Sequence, residues 1–307
     1  MKKTMLRYLS IAFLFIFLAG CRDPRDMKTP GKILVVTTTG MIADAVKNIA
    51  GDKVDVVALM GPGVDPHLYK ATHGDLEKIT AADIIFYNGL HLEGKMGSVL
   101  EKAERIRRVV PVTAGIDAAF LRAIPGYDAH DPHIWFDVAL WRKAVENISA
   151  QLIKVDSVNT ETYRVNTQRY LKALDSLNTS IERELSTIPS QQRVLITAHD
   201  AFGYFGDAYN IEVRGLQGIS TLSEFGLRDV TSLVDFIIER RIKAIFVETS
   251  VSTKSINAIL AGCREKGWNV RIGGNLYSDA MGDEGTVEGT YIGMVNANVK
   301  TIVSALK

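Results

Sequence analysis

A polar segment covering residues 159–186, with neither glycine nor proline, is the feature that most constrains the fold. Its apolar residues recur at intervals of three, four and seven, which is the period of an α-helix. These residues are Tyr163, Tyr170, Leu174, Leu177, Ile181 and Leu185. Pro189 follows and favours a helix end. The segment therefore predicts one long helix that joins two folded parts. A coiled-coil dimerisation helix is the alternative, but the stripe lasts barely three heptads and lacks a clear charge code beside it.

Short β-branched runs alternate with helical patterns on both sides of this segment. The predicted strands are 32–37, 54–60, 83–87 and 108–112 before it, and 193–197, 244–247 and 269–272 after it. The predicted helices are 41–49, two near Leu76 and Val99, then 229–240, 254–265 and 288–305. Continuous apolar strands separated by helices are typical of parallel sheets covered on both faces. We therefore expect an α/β fold with two lobes, since the chain exceeds the usual size of one domain.

The first twenty residues have the pattern of a secretory signal. Lys2, Lys3 and Arg7 precede a short apolar core at 9–18, too short for a bilayer that requires about 20 residues. The following Leu18-Ala19-Gly20-Cys21 resembles a bacterial lipobox, which implies cleavage before Cys21 and attachment of lipid to it. The alternative is an ordinary signal followed by a coincidental cysteine. With the lipobox, we expect an extracytoplasmic protein, in the periplasm or at the cell surface, anchored to a bacterial membrane by its amino terminus.

Charge and cysteine content narrow the function classes. The signal holds three of the 36 Lys and Arg and none of the 35 Asp and Glu, which leaves 33 against 35, a net charge of −2. This balance gives no electrostatic reason to expect a nucleic-acid partner. With Cys21 lipidated, Cys263 has no partner for an intramolecular disulfide. Cys263 lies in a helical pattern, and we expect it to be a buried apolar residue.

Three of the six histidines stand near predicted strand ends, where α/β proteins place their ligands. Asp-Pro-His occurs twice, at Asp65-Pro66-His67 and Asp131-Pro132-His133, and His199 follows the strand at 193–197. Asp279 lies in a loop after the last predicted strand. Each of these residues alone is more often structural, but three imidazoles and one carboxylate together form a set of ligands for a divalent transition metal. His73, His91 and His130 are weaker candidates, as a helix start, a surface residue and a loop residue.

Five ordered motifs in this chain resemble those of the cluster A-I, or TroA-like, zinc- and manganese-binding lipoproteins. They are Gly61 to His67, Asp131 to Asp137, Thr197 to Phe205, Gly215 to Gly218 and Ser278 to Gly282. The resemblance covers nearly the whole mature chain. It implies two pseudo-symmetric lobes joined by one rigid helix, with the metal bound between them by His67, His133, His199 and Asp279. It also implies a solute-binding component of an ABC importer, so that Zn²⁺ or Mn²⁺ is cargo and a permease with its ATPase is the partner.

The resemblance divides the chain into a signal at 1–20, a lobe at 21–158, a linking helix at 159–187 and a lobe at 188–307. Manganese-dedicated relatives have glutamate in place of the third histidine, whereas this chain has His199. Zinc-dedicated relatives have a long histidine-rich loop before the second ligand, where this chain has only His130. The sequence therefore indicates mixed specificity. Coordination chemistry favours Zn²⁺ at a nitrogen-rich site.

Two other functions have to be weighed against a metal receptor, which is not an enzyme. A secreted zinc metalloenzyme normally keeps one coordination position open for water, and four protein ligands would close the site. Glu248, at the end of a predicted strand, could serve as a general base in such an enzyme. We interpret it instead as the acceptor that orients a ligand histidine. A surface adhesin has no motif of its own in this sequence. We expect the protein to be a monomer.

Overall fold

The structure is a computed structural model that describes residues 28–307, so the predicted signal and Cys21 lie outside the described residues. The first lobe contains β1 (Ile33–Thr37), α1 (Gly40–Ala50), β2 (Val54–Ala58), α2 (His73–Ala81), β3 (Ile84–Tyr87), α3 (Gly97–Glu104), β4 (Arg108–Pro111) and α4 (Val138–Val155). The helix α5 (Thr160–Ser186) follows. The second lobe contains β5 (Val194–His199), α6 (Gly203–Tyr209), β6 (Glu212–Gln217), α7 (Leu227–Glu239), β7 (Ala244–Glu248), α8 (Lys254–Glu265), β8 (Arg271–Leu276) and α9 (Tyr291–Leu306).

Both lobes are built on parallel strands, as the apolar runs predict. The first lobe has one sheet in the order β2-β1-β3-β4, and the residues Leu34, Val35 and Val36 of its inner strand β1 are fully buried. In the second lobe β5 pairs with β6, β7 pairs with β8, and β5 lies against β7. These strands form two separate two-stranded sheets, and the contact of β5 with β7 gives the spatial order β6-β5-β7-β8, which parallels the sheet of the first lobe. The α/β fold with two pseudo-symmetric lobes is thereby confirmed.

The long helix α5 spans both lobes. It packs against α1 and α4 of the first lobe and against α9 of the second. All six apolar residues of its predicted stripe are buried in these contacts. A coiled-coil dimer through this stripe is therefore excluded, because the same chain already covers it. The helical pattern at 159–186 predicted this helix closely, since the helix begins one residue later, at Thr160, and ends at Ser186.

Several elements differ from their sequence predictions, including α4, which was not among the predicted helices, and β8, which lies at Arg271–Leu276 and not at 269–272. Strand β6 was not predicted, because Arg214 and Gly215 interrupt its apolar pattern. The short helix α6 was not predicted either. Helix α9 begins three residues later than expected, at Tyr291, because the Thr290 hydroxyl accepts a hydrogen bond from the Gly293 N–H and caps the helix there.

Two smaller features complete the fold. Cys263 is fully buried in α8, as predicted, and burial raises the pKa of its thiol. Within residues 28–307, no helix combines the length and the apolar character needed to cross a membrane.

Candidate metal centre

The four residues singled out by the motifs meet at the seam between the lobes. His67 lies in the loop after β2, His133 between β4 and α4, His199 at the end of β5, and Asp279 in the loop after β8. Each contributes one donor atom, and these four atoms all lie within 4.8 Å of one another. None of the four residues is more than 2% exposed. Two donors thus come from each side of α5, so the centre exists only when both lobes are folded.

The donor spacings fit one small cation. His67 Nε2 lies 3.3 Å from His133 Nε2, and His133 Nε2 lies 3.4 Å from Asp279 Oδ1. Asp279 Oδ2 lies 3.2 Å from His199 Nε2 and 3.7 Å from His67 Nε2. Metal–ligand bonds of about 2.0–2.1 Å in a tetrahedron place neighbouring donors about 3.3 Å apart. Two imidazole nitrogens at this separation can share one proton as a hydrogen bond, or both can bind one cation.

The repeated Asp-Pro-His motif has a local structural role. In each copy the aspartate Oδ1 accepts a hydrogen bond from the histidine N–H two residues later, at 2.8 Å in Asp65-His67 and 2.9 Å in Asp131-His133. This turn, stiffened by the intervening proline, fixes the backbone that carries each imidazole. The second copy is fixed further by Asn88, whose Nδ2 donates to the Pro132 carbonyl at 3.0 Å.

Carboxylates contact the outer nitrogens of two of the imidazoles. Glu248 Oε2 lies 2.5 Å from His199 Nδ1, while Glu248 Oε1 accepts from the His199 backbone N–H at 2.9 Å. The sequence analysis interpreted Glu248 as an acceptor that orients a ligand histidine, and that role stays a prediction. Asp131 Oδ1 lies 2.7 Å from His133 Nδ1. A carboxylate on Nδ1 holds the proton there and directs Nε2 toward the metal position.

Asp131 is the residue that the sequence analysis missed. The Asp-Pro-His repeat contained the signal, because an aspartate two residues before a ligand histidine can reach both its N–H and its ring. Its twin, Asp65, takes a different partner, since its Oδ2 accepts from the Thr221 hydroxyl of the second lobe at 2.6 Å. Both copies of the motif therefore form the same turn through Oδ1 of the aspartate. The other oxygen, Oδ2, has different neighbours in the two copies, Thr221 for Asp65 and Arg122 for Asp131.

Asp279 is held by the loop after β8. The neighbouring Ser278 hydroxyl lies 2.9 Å from the Ser250 hydroxyl, and its carbonyl accepts from Trp135 Nε1 at 3.0 Å. Trp135 follows His133 and packs against its ring, with the ring centroids 5.2 Å apart. Asp279 is also among the residues that line a cavity of about 350 Å³ beside the N-terminal end of α1.

Burial and charge separate the ionisation of these groups. Burial lowers the pKa of His67 to about 4. Burial would also lower the pKa of His199, but the Asp279 and Glu248 carboxylates outweigh it and raise that pKa well above its usual value. Burial opposes ionisation of Asp279, yet the surrounding imidazoles, His199 foremost, hold the pKa of this carboxyl well below its usual range. The surroundings therefore favour the charged forms of Asp279 and His199 and the neutral form of His67.

The three weaker histidine candidates lie away from the centre. His73 is the first residue of α2, with a side chain that is 89% exposed and 3.4 Å from Glu77. His91 is exposed in a left-handed turn with φ of 65°. His130 forms an isolated bridge with Ala123 and belongs to no metal-ligand cluster among residues 28–307. These positions agree with the predictions of a helix start for His73, a surface residue for His91 and a loop residue for His130.

Fold and site together define a two-lobed binding protein with a buried centre of three imidazoles and one carboxylate. Residues 35–305 match the family described as ZnuA, zinc-uptake complex component A, periplasmic. Because the match covers nearly the whole chain, the protein belongs to this family.

Three relatives place the chain within the family. The manganese-binding lipoprotein MntA of Bacillus subtilis (strain 168) is 49% identical over 97% of this chain and 98% of its own length. The zinc-binding protein TroA of Treponema pallidum (strain Nichols) is 49% identical over 92% of this chain and 91% of its own length. The TroA structure superimposes with a TM-score of 0.88 over 90% of this chain and 99% of that one, at 50% identity. A metal ABC transporter substrate-binding lipoprotein of Lactococcus lactis subsp. lactis (strain IL1403) is 30% identical over 99% of this chain and 98% of its own.

Proposed function

We propose that this protein is an extracytoplasmic receptor that binds Zn²⁺ or Mn²⁺ at His67, His133, His199 and Asp279 and delivers it to an ABC importer. The observation that carries the proposal is the convergence of four buried donors from two lobes, all within 4.8 Å of one another. The relatives support the cargo and the partner, since they are named for zinc, for manganese and for an ABC transporter. The partner is then a permease with its ATPase.

Both metals are compatible with the family, and the ligand chemistry ranks them. The chain is 49% identical to a relative named for manganese and 49% identical to one named for zinc, so identity alone selects neither. Three imidazole donors favour Zn²⁺ over Mn²⁺ in the Irving–Williams order. We therefore propose a receptor that accepts both ions and binds Zn²⁺ more tightly.

A receptor fits the centre better than a metalloenzyme does. Four protein donors complete a tetrahedral shell, whereas a catalytic zinc keeps a position open for water. The Glu248 carboxylate, which could be a general base in an enzyme, has both oxygens directed at His199. It therefore has no free oxygen for a substrate proton, and its position supports an orienting role.

The division of the chain and its attachment form part of the proposal. We assign 1–20 to a cleaved signal, Cys21 to lipid attachment, 21–158 and 188–307 to the two lobes, and 159–187 to the linking helix. The described chain joins the first lobe near the start of β2, where Thr29 N–H donates to Asp55 Oδ2 at 2.5 Å. A lipid on Cys21 would then tether this edge of the first lobe to the membrane.

One experiment tests the function directly. Protein purified without added metal is analysed for bound ions, stripped with a chelator, and titrated with Zn²⁺ and Mn²⁺ separately and in competition. We expect one ion per chain and tighter binding of Zn²⁺. A spectrum of the Co²⁺-substituted protein showing an exchangeable water on the metal would contradict the receptor and favour an enzyme.

Metal binding should release about one proton near neutral pH. An imidazole with an ordinary pKa loses affinity for metal as it protonates below about pH 6.5, but the pKa values of His67 and His199 are shifted in opposite directions. His67 has a pKa of about 4 and is already neutral, whereas His199 has a raised pKa and carries a proton that the metal must displace. Affinity should thus rise with pH until the pKa of His199 in the metal-free protein is passed. Calorimetry in buffers of different ionisation enthalpy measures this proton, and release of three protons would contradict the assignment.

Metal loss should leave the overall shape nearly unchanged. A single continuous helix, α5, crosses between the lobes and packs against both, so the lobes have no flexible hinge strand in the described chain. Buried hydrogen bonds also cross the seam, including Trp135 Nε1 to the Ser278 carbonyl. We expect the same radius of gyration from solution scattering with and without metal. A clear increase on metal removal would show that the lobes open as rigid bodies.

A further inference from the structure

Arg122 connects the ligand His133 to the opposite lobe, and none of the roles assigned above includes it. Its guanidinium Nε lies 3.5 Å from Asp131 Oδ2, and its other end forms an ion pair with Asp207 of α6. Asp131 in turn contacts His133 Nδ1 through its other oxygen, Oδ1. A chain of charged and polar groups therefore runs from α6, through Arg122 and Asp131, to a metal ligand.

The backbones of Arg122 and Asp131 are also hydrogen-bonded to α6. The Arg122 carbonyl accepts from the Asp131 N–H at 2.9 Å, and the Arg122 N–H donates to the Tyr204 hydroxyl at 3.0 Å. The Tyr204 hydroxyl donates onward to the Asp131 carbonyl at 2.9 Å. Because α6 follows His199 directly, these contacts join the loop carrying His133 to the strand–helix unit carrying His199.

The helix has space that the guanidinium fills. A Cβ added at Gly203, the first residue of α6, would lie 2.6 Å from Arg122 Nε and 2.8 Å from its Cζ. Because both distances are shorter than van der Waals contact, a side chain at residue 203 would displace the guanidinium, so Gly203 lets Arg122 lie against α6 and beside Asp131. This fit is an observation separate from the charges.

The Asp131 carboxylate is fully buried, and a buried carboxylate needs partners on both oxygens. Oδ1 faces His133, while Oδ2 makes no directed hydrogen bond and has the Arg122 charge as its near neighbour. Without Arg122 the buried Oδ2 loses this charge, and only the two contacts of Oδ1 with His133 hold the carboxylate against the imidazole. The side chain of Arg122 is 34% exposed and that of Asp207 is 64% exposed, so this end of the chain of contacts reaches the surface.

We propose that Arg122 is a positioning residue that slows release of the metal, by holding Asp131 against His133 and fixing both to α6. This inference rests on the proposed metal-receptor function and names a residue that sets the rate of metal release. The residue does not contact the metal. It keeps His133 Nε2 directed at the metal position through Asp131.

Three variants test the inference by stopped-flow release of Zn²⁺ into excess chelator. Arg122→Gln removes the charge, and Gly203→Ala displaces the guanidinium while keeping it. Alanine forms helix better than glycine, so the second variant is expected to fold. Both should raise the dissociation rate about 10- to 100-fold, the range typical for partners of metal-binding histidines. Arg122→Lys keeps a positive charge, so its dissociation rate should lie between those of the wild type and Arg122→Gln.

Arg142→Gln is the matched control. Arg142 also has a side chain that is 34% exposed and also pairs with an exposed aspartate, Asp175, at 3.0 Å, but it lies on α4 away from the centre. Its variant should release Zn²⁺ at the wild-type rate. The melting temperature of the metal-free Gly203→Ala protein should match that of the wild type, which separates positioning of the ligand from general stability.

The outcomes are distinguishable from those of the proposed function. A wild-type protein that binds neither Zn²⁺ nor Mn²⁺ overturns the receptor itself. Wild-type binding with unchanged release from Gly203→Ala and Arg122→Gln overturns the role of Arg122. Equally fast release from Arg142→Gln also overturns it, because a general effect of surface charge would then explain the result. Should Arg122→Gln fail to fold, the Gly203→Ala comparison alone decides.

Discussion

Replacing His133 by alanine should lower the affinity for Zn²⁺ by more than about 100-fold. Loss of a residue that only orients a ligand costs about 10- to 100-fold, and His133→Ala removes a donor atom itself. It also leaves the buried Asp131 facing an empty space, because Asp131 Oδ1 contacts the imidazole at 2.7 Å. The expected loss corresponds to about 3 kcal/mol or more of binding free energy. Competition titration against a chelator of known affinity measures it.

His130→Ala is the control for this prediction, since His130 is three residues away and belongs to no metal-ligand cluster among the described residues. Its affinity should stay close to that of the wild type. His67→Ala and His199→Ala should behave like His133→Ala, because their donors lie within the same 4.8 Å group. A His130→Ala protein as impaired as His133→Ala would show that the ligand assignment at the second Asp-Pro-His motif is wrong.

Elements with strong local patterns could be predicted from the sequence. The β-branched run of β1 and the uninterrupted stripe of α5 each contain enough local information, because burial on two faces or along one stripe is written directly in the residue types. Strand β6 could not be found in this way. Gly215 stands in it because a Cβ there would meet the backbone of Asp200 at 2.5 Å, and that close approach exists only in the folded lobe.

The four proposed ligand residues could be found from the sequence, whereas Arg122, the residue proposed to support them, could not. His67, His133, His199 and Asp279 stand in motifs that the family resemblance aligns, and MntA and TroA relatives at 49% identity place the chain in that family. Arg122 has no such motif, and its partners Asp131 and Asp207 lie on opposite lobes. Pairing across a seam depends on how the lobes pack, which no local pattern encodes.

Replacing His199 by glutamate should narrow the preference for Zn²⁺ over Mn²⁺ by about tenfold or more, chiefly by weakening Zn²⁺. Imidazole suits Zn²⁺, whereas a carboxylate oxygen is the harder donor that suits Mn²⁺. The structure adds a complication, because His199 Nδ1 lies 2.5 Å from Glu248 and Nε2 lies 3.2 Å from Asp279. A carboxylate at this position would face two others in a buried space and repel both.

The double variant His199→Glu with Glu248→Gln removes the repulsion from residue 248 and keeps Asp279, which is itself a proposed metal ligand. Glu248→Gln alone is the matched control, since it keeps the imidazole and loses only the charge on its outer nitrogen. Parallel titrations with Zn²⁺ and Mn²⁺ at pH 7 give the affinity ratio for each protein. The ratio should fall in the double variant relative to Glu248→Gln. Equal ratios in the two would mean that the type of donor at residue 199 does not set selectivity, and that the spacing imposed by the packed lobes does.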